Sequence, residues 1–349
     1  MRAAVTREPN VMEMADVPDA PDPGPGQARV RIEAVGLCGS DYHLFTGEIG
    51  STSVHGPQFP KIQGHEVSAV IEGLGPDAPS HLEAGQRVAL WPLRGCGECY
   101  ACSIGRSNTC PDFCLIGVHI DGALAERLTL PAEQLFPVGD IDDPGIVAFV
   151  EPISIAVHAV NRTRVAQGEH VVVLGAGPIG QALSLAARER GAKVLLVDLV
   201  ASRLELGRLT GADVLDASGG DDVVAEGRAW AGGQGPQVVF DAVGHPAVVR
   251  QAVELVVAAG RVGMVGLSDS SVELPMGMMV AKELDLLGTS VCSAEAFAEA
   301  ADIAVRNADV ISKLISRRFP LEQAPEAIAW AMANPQEALK VVVEAGVGS

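Results

Sequence analysis

Short apolar runs separated by glycine and proline extend through residues 1–140. The runs 28–34, 67–74 and 87–91 have the length of β-strands and are bounded by turn residues. The Pro- and Gly-rich segment 19–26 is typical of a stiff loop rather than of a linker between domains. The pattern therefore predicts a β-rich first part of the chain.

A different pattern begins near Glu151. Continuous apolar runs now alternate with amphipathic stretches such as 179–190 and 247–258, which is typical of a parallel sheet covered by helices on both faces. After Ser293 the pattern predicts helices and a last strand, 339–343, which we expect to rejoin the β-rich part. The predicted strands of the parallel sheet are 171–174, 194–198, 238–241, 261–265 and 284–287.

These patterns predict an α/β protein of two domains. Residues 1–150 and 294–349 form one, and residues 151–293 form a doubly wound parallel-sheet domain. The chain has 349 residues, enough for two hydrophobic cores, and 48% of them are hydrophobic while 20% are charged. This composition is that of a folded globular protein rather than of a disordered one.

The charge balance narrows the choice of partners. The formal net charge is -19 and no Lys/Arg-rich run is present, which argues against nucleic acid or an anionic membrane surface as a partner. The N-terminus has no apolar signal core, and the most apolar stretch, 171–187, is interrupted by glycine and proline. We therefore expect a cytoplasmic protein that spans no membrane.

A glycine motif connects the first predicted strand of the second domain to its first helix. The segment Gly175-Ala176-Gly177-Pro178-Ile179-Gly180 has the spacing G-x-G-x-x-G. In this motif the first glycine allows a tight turn, the second lets the backbone approach a pyrophosphate, and the third lets helix and strand pack closely. The helix N-terminus offers free N–H groups to the phosphates. The motif predicts a dinucleotide-binding site.

Asp198 indicates which dinucleotide binds. It ends the next predicted strand, where a carboxylate hydrogen-bonds the adenosine ribose hydroxyls and repels a 2′-phosphate. Arg203 follows in the next stretch and could stack on adenine or reach toward a phosphate. Because Asp198 lies nearer the ribose, we expect NAD rather than NADP.

Four cysteines share one short loop with the spacing C-x-x-C-x-x-C-x7-C. They are Cys96, Cys99, Cys102 and Cys110. Clustered cysteines in a cytosolic enzyme are typical of metal binding rather than of disulfides. Four thiolates complete a tetrahedral zinc shell, so the loop predicts a structural zinc site with no open position.

A second set of ligand types is mixed. Cys38-Gly39-Ser40-Asp41 and Gly64-His65-Glu66 supply one thiolate, one imidazole and nearby carboxylates. Alone, either Cys38 or His65 would more often be an ordinary core residue. Together with the four-cysteine loop and the glycine motif, they predict a catalytic zinc that keeps a position for water or substrate.

The order of these motifs resembles that of the zinc-containing medium-chain alcohol dehydrogenase family over essentially the whole chain. The resemblance implies a GroES-like β-rich domain that carries both zincs and a Rossmann domain inserted before the last part of the chain. It implies that Cys38 and His65 are ligands of the catalytic zinc and that Glu66 is a ligand or an adjacent carboxylate.

Glu151 places the chain within that family. It precedes Pro152 at the position where ordinary alcohol dehydrogenases have a second cysteine, and a glutamate there resembles the polyol and threonine dehydrogenase branch. The resemblance implies that Glu151 binds zinc directly or through water. The structural alternative is an acid at a helix N-terminus followed by proline at the first helical position.

The resemblance also implies a proton path and further cofactor contacts. Ser40 occupies the position of the family's proton-relay hydroxyl, and His43 follows it as a possible next carrier, although His43 could equally be part of a packed helical turn. Zinc would lower the pKa of the alcohol, and hydride would pass to the nicotinamide. Val243, Val265 and Leu267 are expected to contact the cofactor.

The implied substrate is a secondary alcohol, either a polyol or a sugar-derived compound. Sorbitol-type enzymes carry an arginine for polyol hydroxyls just beyond Val291-Cys292-Ser293, and this chain has none there. Amino alcohols such as threonine and butanediol-like diols are alternatives. Two other classes are alternatives. Zinc-free quinone reductases lack the residues that correspond to Cys38 and His65, so the sequence argues against that class. A non-catalytic NAD-binding protein would have no need to keep Ser40, which is present here.

The apolar strand 284–287 predicts a sheet edge that pairs with a second subunit in a homotetramer or a dimer.

Overall fold

The computed structural model describes residues 1–48 and 58–346. It divides into two compact units, Met1–Glu151 with Ser293–Ser349 and Pro152–Cys292. The predicted domain boundaries, after residues 150 and 293, each lie one residue from these. The last three residues of the predicted first domain lie outside the described part.

The first unit begins with short strands and short helices. In chain order they are β1 (Arg2–Glu8), β2 (Val11–Asp16), β3 (Gln27–Gly36), α1 (Gly39–Thr46), β4 (Lys61–Ile62), β5 (Glu66–Leu74), β6 (Arg87–Leu90), β7 (Leu93–Arg94), α2 (Tyr100–Ser103), β8 (Cys114–Leu115), β9 (Arg127–Pro131), β10 (Leu135–Pro137) and α3 (Pro144–Ala148). Helix α4 (Val150–Thr163) begins at the end of this unit, and the rest of it belongs to the second unit.

The second unit alternates strands and helices. In chain order they are β11 (His170–Leu174), α5 (Pro178–Glu189), β12 (Lys193–Asp198), α6 (Ala201–Leu209), β13 (Asp213–Asp216), α7 (Val223–Trp230), β14 (Val238–Asp241), α8 (Pro246–Leu255), β15 (Arg261–Met264), α9 (Met276–Lys282) and β16 (Asp285–Gly288).

The tail of the chain returns to the first unit. Its elements are α10 (Ala294–Arg306), α11 (Ala308–Leu314), β17 (Ile315–Pro320), α12 (Ala324–Ala333) and β18 (Lys340–Glu344). Strand β18 pairs antiparallel with β3 and parallel with β17, as expected for the predicted last strand.

The main sheet of the first unit has the order β10-β6-β5-β3-β18-β17, with β9 also paired to β3. Alternate residues of β3 are buried along its first half, because one face of the strand packs on the core. The long pairing of β3 with β5 places Gly36 opposite Glu66. The end of β3 is therefore adjacent to the start of β5. Cys38 lies just after that end of β3, and His65 lies just before β5.

The second unit is an all-parallel sheet in the order β13-β12-β11-β14-β15-β16. This is the doubly wound order. Strands β11 to β13 extend the sheet in one direction and β14 to β16 extend it in the other, so the order reverses between β11 and β14. The central strands are buried on both faces, which explains their unbroken apolar sequences. The two units have the predicted architecture, a β-rich domain with a doubly wound parallel-sheet domain.

Two features differ from the sequence analysis. Strand β13 was missed because its four residues begin and end with aspartate, as suits a half-exposed edge strand. The second feature was not considered in the sequence analysis: the helical segment Pro144–Thr163 is long and apolar enough to span a membrane by length and composition. Because 78% of its most apolar window is buried inside the protein, we assign it as a core helix.

Candidate active site

Cys38, His65 and Glu66 meet at the adjacent ends of β3 and β5. Cys38 follows β3 and caps the N-terminus of α1, while His65 immediately precedes β5 and Glu66 begins it. Their ligand atoms all lie within 4.8 Å of one another. His65 and Glu66 are buried and Cys38 is half-buried.

This arrangement fits zinc. Zinc binds sulfur, imidazole nitrogen and carboxylate oxygen at about 2.0–2.3 Å, so two ligands of one ion lie within roughly 4.6 Å of each other. The thiolate, the imidazole and the carboxylate lie within 4.8 Å of one another, close to that limit, and they supply the donor types that zinc prefers. The half-buried thiol leaves one side of the group accessible, as a catalytic zinc site requires.

Asp41 connects the two ligand-bearing segments, a role that the sequence analysis did not assign. Its buried carboxylate accepts hydrogen bonds from the backbone N–H of Cys38 at 2.9 Å and of Gly64 at 3.3 Å. It also lies 3.8 Å from Nδ1 of His65, close enough to orient the imidazole electrostatically. The spacing of Cys38 and Asp41, that of a helix N-cap and its third residue, was a detectable signal.

Lys340 is a second residue that sequence reasoning missed. Its buried ammonium donates to both carboxylate oxygens of Glu66, at 2.7 and 2.6 Å, and to the carbonyl of Leu37 at 3.0 Å. Gly36 makes this possible, because a Cβ there would lie 2.1 Å from Oε2 of Glu66. Nothing in the local sequence marks Lys340, which is 274 residues from Glu66.

Glu151 is buried beside this group but is not one of its three members. Burial raises the pKa of its carboxyl to about 7; Glu66 adds to the increase, whereas His65 and Lys340 oppose it. Glu151 therefore shares the electrostatic environment of the candidate zinc ligands. It lies in the first turn of α4, with Pro152 after it, so the helix-start alternative also describes its position.

Ser40 and His43 lie one turn apart on α1, with different surroundings. The hydroxyl of Ser40 is 3.4 Å from Nε2 of His65, so it lies next to the candidate metal ligands. The imidazole of His43 is 60% exposed and lies 3.2 Å from the carboxylate of Glu48. Ser40 is thus placed at the site and His43 at its solvent side.

The four-cysteine loop closes on itself. The ligand sulfurs of Cys96, Cys99, Cys102 and Cys110 lie within 4.8 Å of one another. Backbone N–H groups point at these sulfurs, for example Cys96 N at 3.3 Å from Cys110 Sγ. The backbone N–H groups of Glu98 and Cys99 lower the pKa of the Cys96 thiol to about 7, which favours the thiolate. Four converging sulfurs suit a closed structural zinc.

The glycine motif has the geometry that a pyrophosphate site needs. Gly175 has φ +102°, in the region that favours glycine. A Cβ on Gly180 would lie 1.9 Å from the carbonyl oxygen of Gly175, whereas a Cβ on Gly177 would meet nothing within 4 Å. Gly180 is therefore needed for packing, and Gly177 leaves space open at the N-terminus of α5, where Pro178 and Ile179 follow.

Asp198 has more partners than the sequence predicted. Its carboxylate accepts hydrogen bonds from the backbone N–H of Ala176 at 2.6 Å and of Val200 at 2.9 Å. Arg203 Nη1 lies 3.9 Å from it. Asp198 therefore holds the glycine turn against the end of β12.

The remaining predicted cofactor residues lie after β14 and β15, at the carboxyl edge of the sheet. Val243 and Leu267 are exposed by 49% and 71%. Val265 is half-buried and donates its backbone N–H to the carbonyl of Asp241 at 2.9 Å. Two large apolar side chains are thus exposed at the edge that carries the glycine motif.

Known proteins resemble the chain over almost its full length. A family model described as the alcohol dehydrogenase GroES-like domain matches residues 24–140, and one described as zinc-binding dehydrogenase matches residues 178–306. L-galactonate-5-dehydrogenase of Escherichia coli (strain K12) is 34% identical over 332 residues, covering 93% of this chain and 94% of that protein. Sorbitol dehydrogenase of Bacillus subtilis (strain 168) is 30% identical over 347 residues, covering 98% and 97%.

A solved structure has the same fold. A zinc-binding dehydrogenase from Sinorhizobium meliloti 1021, bound to NADP, superposes with a TM-score of 0.89 at 31% identity and covers 99% of each chain. The resemblance found in the sequence is thereby confirmed.

The two glycines of the cofactor turn should respond differently to alanine. Gly180→Ala should destabilise the protein by about 1–3 kcal/mol or more, because the added methyl overlaps a backbone oxygen. Gly177→Ala should leave the unfolding temperature unchanged but weaken NADH binding about tenfold or more, since the methyl stands where the pyrophosphate approaches. Thermal unfolding and NADH fluorescence titration measure the two effects. Equal unfolding temperatures for both variants would contradict the packing argument.

Lys340→Met should strongly destabilise the protein, because it leaves the Glu66 carboxylate buried without its partner. Removing one member of such a pair costs about 3–5 kcal/mol. Urea unfolding followed by circular dichroism measures the loss. Adding Glu66→Gln should restore much of it, and the exposed Lys313→Met is the matched control. An unchanged urea midpoint for Lys340→Met would mean that the ion pair does not stabilise the fold.

Proposed function

This chain belongs to the zinc-containing medium-chain alcohol dehydrogenase family, and we propose that it oxidises a secondary hydroxyl of a sugar-derived polyol or sugar acid with NAD+ as hydride acceptor. The observation that carries the proposal is the group formed by Cys38, His65 and Glu66, whose ligand atoms lie within 4.8 Å of one another. A single thiolate with an imidazole and carboxylates matches an open catalytic zinc rather than a closed structural one.

Zinc held by Cys38 and His65 would supply Lewis-acid chemistry, polarising the substrate oxygen and lowering the pKa of its hydroxyl. Glu66 contributes a carboxylate whose position Lys340 fixes through both oxygens. Glu151 adds a further buried carboxyl, as a ligand directly or through water. The four-cysteine loop would hold a second, structural zinc, which would give two zinc ions per chain.

Ser40 is proposed to accept the proton of the substrate hydroxyl. Its hydroxyl lies next to Nε2 of His65 and is half-buried, so it can take up a proton at the site and release its own toward solvent. His43, one helical turn further and exposed to solvent, is the next carrier. A serine hydroxyl between the metal ligands and a surface imidazole gives the proton a short path to water.

The substrate class is inferred from two features. The candidate shell is rich in carboxylates, with Glu66 and Glu151 beside one thiolate, as in the polyol branch of the family. The relatives that support the proposal act, by their names, on a sugar acid and on a sugar alcohol. We propose that the protein works in the cytoplasm, where its cysteines remain reduced for metal binding.

A panel of alcohols tests the proposed activity. Protein containing two zincs per chain by metal analysis should reduce NAD+ with a sugar acid such as L-galactonate at a higher kcat/KM than with threonine or 2,3-butanediol, measured by NADH absorbance. Ser40→Ala should lower kcat about 10²–10⁴-fold, the usual contribution of proton transfer, with little change in NADH affinity. NADH binding without turnover of any alcohol would indicate a non-catalytic protein and contradict the proposal.

The preference for NAD over NADP tests the role proposed for Asp198 at the adenosine ribose. We expect at least a hundredfold preference for NAD over NADP, because like charges brought together in a partly buried site cost on the order of several kcal/mol. Asp198→Ala should weaken NAD binding and reduce the preference, whereas Arg203→Ala should leave the preference in place. The ratio of kcat/KM for the two cofactors is the measurement. Equal use of NAD and NADP by the unaltered protein would contradict the assignment.

We further propose that the chain forms a homotetramer or dimer through β16, the last strand of its sheet. The preceding helix α9 exposes Met276 by 66% and Val280 by 70%, apolar area that a second copy would cover. Light scattering should give two or four times the chain mass of 36.1 kDa. Val280→Asp should reduce that mass, and Val305→Asp, at a valine exposed by 41% on α10, should not. A 36.1 kDa species for the unaltered protein would contradict the proposal.

A further inference from the structure

Asp241, the last residue of β14, is fully buried and had no role in the sequence analysis. Oδ1 of its carboxylate accepts hydrogen bonds from the backbone N–H of Val243 and of Gly244, both at 3.0 Å. Oδ2 lies 3.2 Å from the same Gly244 N–H. The carboxylate therefore fixes the turn that follows β14.

The backbone of Asp241 fixes a second turn. Its carbonyl accepts hydrogen bonds from the backbone N–H of Val265 and of Gly266, both at 2.9 Å, immediately after β15. One residue thus holds the turns after two neighbouring parallel strands, one through its side chain and the other through its main chain.

The two turns are packed too closely to move separately. A Cβ on Gly266 would lie 2.1 Å from the backbone nitrogen of Gly244, and one on Gly244 would lie 2.7 Å from the carbonyl oxygen of Leu267. The first turn also contacts the glycine motif, since a Cβ on Gly175 would lie 2.7 Å from Cγ2 of Val243. A shift in the turn held by the Asp241 carboxylate therefore displaces the other turn as well.

The sheet order shows which half of a dinucleotide these turns face. Strand β11, with the glycine motif, lies between β12 and β14. A dinucleotide crosses the sheet edge where the strand order reverses, with its pyrophosphate at the glycine motif. Asp198 ends β12, on the side of the adenosine ribose. The other half must then lie over the ends of β14 and β15, where Val243 and Leu267 are exposed.

We propose that Asp241 is a positioning residue for the nicotinamide half of the cofactor. Its carboxylate and carbonyl hold the two interlocked turns so that Val243 and Leu267 present an apolar surface to the nicotinamide ring. Asp241 itself is buried behind the turns and does not touch the cofactor. This inference rests on the proposed function, because it requires that the site binds NAD.

The test compares a ligand that has both halves with one that has only the adenosine half. In Asp241→Asn, an amide group replaces one oxygen facing the Gly244 N–H, so a donor meets a donor and the turn loosens. The dissociation constant of NADH and the KM of NAD+ should rise about tenfold, while the affinity for AMP changes less than about twofold. Zinc content and the KM of the alcohol at saturating NAD+ should stay the same.

Asp216→Asn is the matched control. Asp216 ends β13 and caps its own turn by accepting the backbone N–H of Ser218 at 2.9 Å, but it is exposed and lies at the other edge of the sheet. It should leave both NADH and AMP affinity unchanged. Leu267→Ala alters an exposed side chain, so it tests the inference even if Asp241→Asn does not fold. It should weaken NADH binding and spare AMP binding.

Three results would overturn the inference. Wild-type NADH affinity in Leu267→Ala would show that the second turn contributes no contact. Equal loss of NADH and AMP affinity in Asp241→Asn would show a general loosening of the unit, and unchanged NADH affinity in that variant would show no positioning role. If the unaltered protein bound no NADH, the proposed function would fail and the inference with it. Normal NADH binding by every variant would overturn only the inference.

Discussion

The buried ion pair between Lys340 and Glu66 is the interaction on which the candidate zinc group depends. An ammonium or a carboxylate moved out of water alone loses several kcal/mol of hydration, so neither charge would be stable at this depth without the other. The pair forms only because Gly36, opposite Glu66 on β3, leaves room for the carboxylate. Three strands distant in sequence must therefore be in register before Glu66 can face Cys38 and His65.

Asp41 provides the second constraint on the same group. It bonds the backbone on both sides of the site, at Cys38 and at Gly64, so the two ligand segments are held together before any metal binds. The ligands themselves lie at strand ends and a helix start, where the backbone is free to turn toward one point. Rigid strands behind the site and hydrogen-bonded segments in front of it are what a metal centre of fixed geometry requires.

The edge of the second unit that carries the glycine motif is built mainly from the backbone. Gly177 leaves open space, Gly180 packs against the turn, and Asp198 accepts two backbone N–H groups that hold the turn in place. Close packing between neighbouring turns makes this edge stiff, because each turn is bounded by atoms of the next. A stiff edge loses little conformational freedom when a ligand binds.

Local sequence determined much of this protein, because motif chemistry and apolar periodicity act over short distances. The four-cysteine loop and the glycine motif follow from residue spacing, and the strands around them follow from apolar runs, since both kinds of pattern lie within short segments of the chain. Strand β13 was not predicted, because a segment of four residues that begins and ends with aspartate has too few apolar residues to show a strand pattern. Only the tertiary structure decided that Lys340 pairs with Glu66, that Gly36 makes room for them and that one buried aspartate, Asp241, holds two turns. These contacts depend on which strands lie side by side, and no local pattern of residues encodes that choice.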